Sequence, residues 1–332
     1  MEPEFFSYPP LPDDIRSVIE EGSSFLVLGH IGPDGDCLSS QIAMAELLKS
    51  LGKTTTLVNA GPFERSEITH LATRFHTEIT EEMRSDNPIV VVVDCSSMER
   101  IGSLAEQITG LTTIIFDHHA SGEYFGDYRY ITPRSISTTF IVMHLYKEFA
   151  IPITPEIAEH LFFGFATDSG FFRFINAYRG DVLRYAAELV DLGVSPNEMA
   201  DRMSGGKNLD YVKYVGKLID RSEVLLDGRL IIASSYIRDS RAFDTTDRPS
   251  DMLYSMLLSI KGVEVVLYLK ELEPQLTEIG FRSSHHNAFN VGALAEKLGG
   301  GGHRKAAGAT VNQSVESVRD FLIELVKELV EA

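Results

Sequence analysis

The chain has 332 residues, enough for two domains, and 44% of them are hydrophobic, so a sizeable core can form. A net charge of −18 argues against long nucleic acid, whose binding is driven by phosphate neutralisation, and favours a short substrate with few phosphates. The acidic N-terminal stretch lacks a basic-then-apolar leader, and no apolar run is long enough for a membrane span. Two cysteines, Cys37 and Cys95, cannot build a disulfide framework, so the expectation is a cytoplasmic protein with no membrane partner.

In chain order, residues 25–29 read as the first core strand, running into His30-Ile31-Gly32-Pro33-Asp34-Gly35-Asp36. Pro33 and Gly35 form turns, so this is a tight loop carrying one imidazole and two carboxylates. A helix is predicted over 39–51, with Gly52 as its C-terminal cap, and a strand over 54–59. Residues 89–93 are the most strand-like run and end in Asp94; residues 112–116 end in Asp117-His118-His119. Apolar, β-branched runs of this kind are buried strands of a parallel sheet, and ligands bind beyond the carboxyl ends of such strands. Residues 161–166 are apolar and lead to Asp168, a carboxylate too costly to bury there unless paired or on a metal. Phe171, Phe172 and Phe174 read as core. A helical pattern over 180–203 ends at a compositional break, Ser204-Gly205-Gly206-Lys207-Asn208, followed by another helix over 209–222.

The second half is β-rich. Strands are predicted over 229–236, 263–269 and 278–282, the last two as antiparallel neighbours, then a helix over 290–298. Gly299-Gly300-Gly301-Gly302 follows, then His303-Arg304-Lys305, a short strand, and a closing helix over 315–329. The division is a catalytic metal-binding domain over 1–203, a linker and helix over 204–222, and a substrate domain over 223–332.

His30, Asp34, Asp36, Asp94, Asp117, His118, His119 and Asp168 make five carboxylates and three imidazoles. That set is too large and too oxygen-rich for a structural zinc, and suits Mn²⁺, or Mg²⁺, Fe²⁺ or Co²⁺. Two such cations bridged by a carboxylate form a clamp on phosphoryl oxygens and activate a water. No Ser or Cys nucleophile with an evident His partner is present, so water is the simpler attacking group. The four glycines lack the Lys-Ser/Thr of a Walker loop, but they permit close backbone approach, and three basic residues follow. They read as a phosphate-gripping loop that faces the metals across a cleft.

On these ordered motifs, His30…Asp34-Gly35-Asp36, Asp94, Asp117-His118-His119, Asp168 and Gly299 to His303 with Ala306-Ala307-Gly308, the chain resembles the stand-alone DHH/DHHA1 phosphoesterases. That group includes nanoRNases/pAp phosphatases and phosphodiesterases of pApA or cyclic di-AMP. The resemblance implies an α/β fold: an N-terminal domain with a mostly parallel sheet flanked by helices, and a smaller α+β C-terminal domain. It implies two Mn²⁺ ions, one on His30, Asp34 and Asp94, the other on Asp36, Asp94, His118 and Asp168. His119 would contact the scissile phosphate, and Asp117 would orient the histidines. Arg282, Ser283, Gly301, Gly302 and His303 would bind the far end of the substrate. The implied activity is Mn²⁺-dependent hydrolysis of pApA or nanoRNA to mononucleotides. A pAp 3′-phosphatase, a cyclic di-AMP phosphodiesterase, an inorganic pyrophosphatase as in a sister family, and a non-catalytic nucleotide sensor are the alternatives. A homodimer is compatible with the family. The chain departs from the family at Cys37-Leu38-Ser39-Ser40, where relatives have Ala-Leu-Gly-Ser, at residues 247–251, and at His285-His286, which reads as an exposed loop.

Overall fold

The computed structural model describes residues 6–120, 122, 125–175, 177–204, 207–240, 242–243, 249–284 and 289–331. They fall into two compact units, 1–206 and 207–332. In the first, five parallel strands lie in the order β2-β1-β3-β4-β5: β1 (Ser24–Leu28), β2 (Thr54–Val58), β3 (Ile89–Val93), β4 (Thr113–Asp117) and β5 (Tyr128–Ile131). Side chains alternate across a strand, so each run feeds two cores. Phe25, Val27, Val91, Val93, Ile114 and Phe116 enter one hydrophobic cluster, while Leu26, Leu28, Val90, Val92 and Ile115 enter the other. Both faces are covered, which is why these strands are apolar throughout.

Eight helices accompany this sheet among the described residues: α1 (Asp13–Glu21), α2 (Gly35–Ser50), α3 (Glu81–Ser85), α4 (Leu104–Gln107), α5 (Thr138–Glu148), α6 (Pro155–Asp168), α7 (Gly180–Asp191) and α8 (Pro196–Ser204). Helix α2 begins at Gly35, four positions before the expected start. Asp34 caps it, with Oδ1 accepting from the Cys37 N–H at 3.1 Å, which places Asp36 inside the first turn. The helical pattern over 180–203 is two helices, because Gly193 takes φ +105° and Pro196 starts a new helix.

The second unit is a six-stranded mixed sheet in the order β10-β11-β9-β8-β7-β6, comprising β6 (Glu223–Leu225), β7 (Leu230–Ser235), β8 (Val265–Glu273), β9 (Leu276–Ser283), β10 (Gly301–His303) and β11 (Ala306–Val311). Strands β7 and β8 are parallel; the other pairs are antiparallel. Helices α9 (Leu209–Asp220), α10 (Ile237–Ser240), α11 (Ser250–Leu258), α12 (Val291–Glu296) and α13 (Val315–Glu331) complete it. Here too one face is apolar against α12 and α13, the other against α9 and α11. The glycine run is not an open loop: Gly301–His303 pairs with Ala306–Gly308 as a hairpin. A Cβ on Gly300 would lie 2.2 Å from the Gly308 carbonyl oxygen, so close strand approach requires glycine there. His285, His286, Asp247 and Arg248 lie outside the described residues. No helix among the described residues is long and apolar enough to cross a membrane.

Gly164 sets the spacing of the first unit's helices. A Cβ there would meet Thr139 Cγ2 at 2.4 Å and Asp36 Oδ1 at 2.9 Å, so α6 lies close against α2 and α5. Alanine would gain roughly 1 kcal/mol of helix propensity but incur about 1–3 kcal/mol of overpacking against buried neighbours. Gly164→Ala is therefore expected to lower the unfolding free energy, read by denaturant titration; an unchanged or raised midpoint would contradict this packing account.

Candidate metal centre

The in-register parallel strands deliver three of the expected groups to one sheet edge. Leu28 pairs with Val92, and Val92 with Ile115, so His30, Asp94 and Asp117 emerge together at the carboxyl ends of β1, β3 and β4. Asp94 takes φ +56°, a left-handed conformation that a non-glycine residue adopts at a cost and that concentrates at functional sites.

Asp94 is 2% exposed and stands between two imidazoles. His30 Nε2 lies 3.5 Å from Oδ2, and His118 Nε2 lies 3.4 Å from Oδ1. His30 Nε2 also faces Asp34 Oδ1 at 3.8 Å, and His118 Nε2 faces Asp168 Oδ2 at 3.1 Å. His30 Nδ1 lies 2.9 Å from the Ile31 carbonyl, which can only accept, so the ring proton sits on Nδ1. Its Nε2 lone pair then points at two carboxylates. Lone pairs converging in this way repel unless a cation or a proton stands between them. Asp117 is bound differently. Its Oδ1 accepts from the His118 N–H (2.8 Å), the His119 N–H (3.2 Å) and His119 Nδ1 (2.7 Å). Its Oδ2 is buried with no partner among the described residues. Asp117 thus fixes both histidines.

Donor atoms of Asp94, Asp117, His118 and His119, of Asp36, His118 and Asp168, and of His30, Cys37 and Asp94 form three groups, each within 4.8 Å. Asp94 and His118 each belong to two groups. Cys37 is a buried thiol against the His30 carbonyl (3.8 Å), pushed up to about 11 by burial, which suits a core residue. Asp168 does not end a strand. It is the last residue of α6, where the negative end of the helix dipole disfavours a carboxylate. All the sequence-derived metal candidates are therefore brought together, and oxygen with imidazole donors in this number fits a hard or borderline divalent cation.

Sequence reasoning missed α5. Its N-terminus grips Asp36: Oδ2 accepts from the Thr138 N–H at 2.7 Å, and Oδ1 from the Thr139 N–H at 3.0 Å and the Thr139 hydroxyl at 2.8 Å. The Thr138 hydroxyl donates to Asp94 Oδ1 at 3.0 Å. Ser137 caps the helix, accepting from the Phe140 N–H. Ser-Thr-Thr ahead of an apolar run was the available signal.

In the second unit, Arg282 lies with its guanidinium 4.8 Å from the Tyr254 ring centroid. Register puts Arg282 opposite Ala306, and Ala306 opposite His303, so these positions form one row across three strands. Gly302 (φ +142°) sits opposite Ala307 in the same hairpin. Ser283 is buried, its hydroxyl donating to the Phe289 carbonyl.

The first unit's cluster binds protons tightly. Burial works against a charged His30 and a charged His118, but Cys37, then Asp34 and Asp94, outweigh it at His30, and Asp168 and Asp94 at His118, so both are raised. Burial, then the charges of Asp168 and Asp94, hold Asp36 well above the carboxylate range. Burial, then Asp34 and Asp94, push Asp168 up to about 6, although His118 opposes. Cation ligands must be deprotonated. His30, His118 and Asp36 keep their protons at neutral pH, so a divalent cation must displace them. We expect binding at pH 7 to release protons and to weaken as pH falls; calorimetry in buffers of different ionisation enthalpy reads this, and heats independent of buffer would exclude it.

Residues 24–165 match the DHH family, N-terminal domain, and residues 231–332 match the DHHA1 domain. The chain is 26% identical to the bifunctional oligoribonuclease and PAP phosphatase NrnA of Thermus thermophilus, over 98% of this chain and 96% of that protein. It is also 26% identical to its Bacillus subtilis namesake, over 85% and 87%. In fold it is similar to an exopolyphosphatase-related protein from Bacteroides fragilis, with TM-score 0.84, 20% identity and 96% and 97% of the two chains covered. The exonuclease RecJ of Thermus thermophilus, solved with Mn²⁺, shares the fold more loosely, with TM-score 0.52 and 15% identity over 94% of this chain and 54% of that one.

Proposed function

The chain belongs to the stand-alone DHH/DHHA1 phosphoesterases, hydrolases of phosphoric ester bonds, and we propose that it is a Mn²⁺-dependent phosphodiesterase cleaving short oligonucleotides such as pApA to mononucleotides. The observation that carries this reading is the convergence of imidazoles and carboxylates on Asp94. In the proposed arrangement His30, Asp34 and Asp94 hold one cation, and Asp36, Asp94, His118 and Asp168 hold the other. Two such cations, when bound, lower the pKa of a water and neutralise phosphoryl oxygens. Thr138 and Thr139 hold Asp94 and Asp36 in place for that task. Asp117 takes His119 Nδ1, so Nε2 on the opposite side of the ring is the atom proposed to meet the scissile phosphate. Arg282, Ser283, Gly301, Gly302 and His303 are proposed to bind the remaining nucleotide.

The names of the relatives support a second substrate for the same site: pAp, whose 3′-phosphate is a monoester. Rates on pApA, pAp, cyclic di-AMP, short RNA and pyrophosphate, with Mn²⁺ and with Mg²⁺, separate these readings. We expect pApA and short RNA to lead with Mn²⁺; a preference for pyrophosphate would refute the nucleotide assignment. Asp94→Ala should reduce turnover to background, and near-normal hydrolysis by the purified variant would remove Asp94 from the mechanism.

A substrate-binding arginine makes a charge-assisted hydrogen bond worth roughly 1.5–3 kcal/mol. Arg282→Ala should therefore raise KM for pApA about ten- to a hundredfold while metal content stays constant. A change confined to metal content would contradict that role.

A further inference from the structure

The first unit also concentrates positive charge outside the Asp94 cluster. His70 and Arg74 come from the 3-10 turn Thr69–Arg74, His160 from the middle of α6, and Arg202 from α8. Arg74 Nη1 lies 3.2 Å from His160 Nε2, and Arg202 Nη2 lies 2.6 Å from His70 Nε2. A guanidinium only donates, so both imidazoles accept at Nε2, carry their proton on Nδ1 and are neutral. His160 is 7% exposed, and its Nδ1 has no partner among the described residues. Arg202 is half-buried with its guanidinium 4.3 Å from the Phe163 ring centroid.

Carboxylates do not balance these charges. Among the described residues none lies within ion-pair distance of Arg202, and Arg74 has only Glu156, at 3.9 Å with a side chain 73% exposed. Glu159 acts on Arg202 from further away. Burial, then Arg74 and Arg202, drive His160 down to about 3; burial, then Arg202, lower His70; and burial lowers Arg202 itself. In a chain of net charge −18, two arginines set against neutral imidazoles, one of them half-buried on a phenyl ring, form a positive patch that its two more distant glutamates do not hydrogen-bond among the described residues. Guanidinium forks match tetrahedral oxyanions.

We infer that His70, Arg74, His160 and Arg202 form a binding site for an oxyanion of the phosphate class, distinct from the Asp94 cluster. Arg74 and Arg202 supply the bonds; as Arg202 turns its N–H from His70 Nε2 to the anion, that nitrogen, exposed at the rim, is freed to take a proton from solvent. The Phe163 ring beneath Arg202 would stand 3.0 Å from a Cβ on Gly35, so the site adjoins the Asp34-Gly35-Asp36 turn. The bound group is either a substrate phosphate remote from the cleaved bond or free inorganic phosphate. The inference does not require that the proposed substrate be correct.

The test is a sulfate titration of the full, Mg²⁺-loaded chain at constant ionic strength, read by histidine ring ¹⁵N resonances assigned with His70→Gln and His160→Gln. Sulfate should move the His70 and His160 signals, with His70 shifting towards imidazolium. Arg74→Gln and Arg202→Gln should each raise the midpoint roughly tenfold, the size of one lost charge-assisted bond. Signals that stay fixed, or midpoints unchanged in both variants, would overturn the site; Arg74 is exposed, so its variant remains informative if Arg202→Gln folds poorly. The source follows from kinetics. A several-fold rise in the KM ratio of a five-nucleotide RNA to pApA in Arg202→Gln identifies a substrate phosphate. An unchanged ratio, with inorganic phosphate reproducing the sulfate shifts, identifies free phosphate.

Discussion

One carboxylate, Asp94, is buried between two imidazoles on a backbone turned into the left-handed region, and the first unit is arranged around keeping it there. An unpaired ion in that position would cost several kcal/mol. Here it is met on one side by His30, on the other by His118, and from α5 by the Thr138 hydroxyl. Each partner is itself fixed: His30 by the Ile31 carbonyl, and His118 by an N–H bond to Asp117. The rigidity of the parallel sheet passes into the side chains, since β1, β3 and β4 end together.

Helix ends carry the remaining electrostatics. Helix α2 starts on Asp34 and holds Asp36 in its first turn, and α5 aims its N-terminal N–H groups at Asp36, so both favour negative charge. Helix α6 does the reverse, ending at Asp168. His118, 3.1 Å away, offsets that mismatch, and the close approach of α6 is possible because position 164 has no side chain. The site thus joins two favourable helix termini to one unfavourable terminus, an arrangement that suits a cation among them.

Much of this was legible in the residues. Apolar runs ending abruptly in His30, Asp94 and Asp117-His118-His119 revealed strands and chemistry together, because a fully covered parallel strand is apolar to its last residue. Asp168 was legible as a costly carboxylate, although periodicity over so short an apolar run could not tell helix from strand. Thr138 and Thr139 escaped because hydroxyls that cap a helix look the same whether the helix points at solvent or at a buried aspartate. The glycine hairpin escaped because its pairing partner, residues 306–308, is itself short and weakly patterned. His70, Arg74, His160 and Arg202 are scattered over three elements, and only tertiary structure assembles them.

The position of the cluster along the chain has a further consequence. Every imidazole and carboxylate in it precedes residue 169, within the first of the two units. A cation held there would draw no ligand from the second unit. On the proposed reading, acquisition of the inorganic component would depend on one unit's core, and the Arg282 and His303 strands on another's.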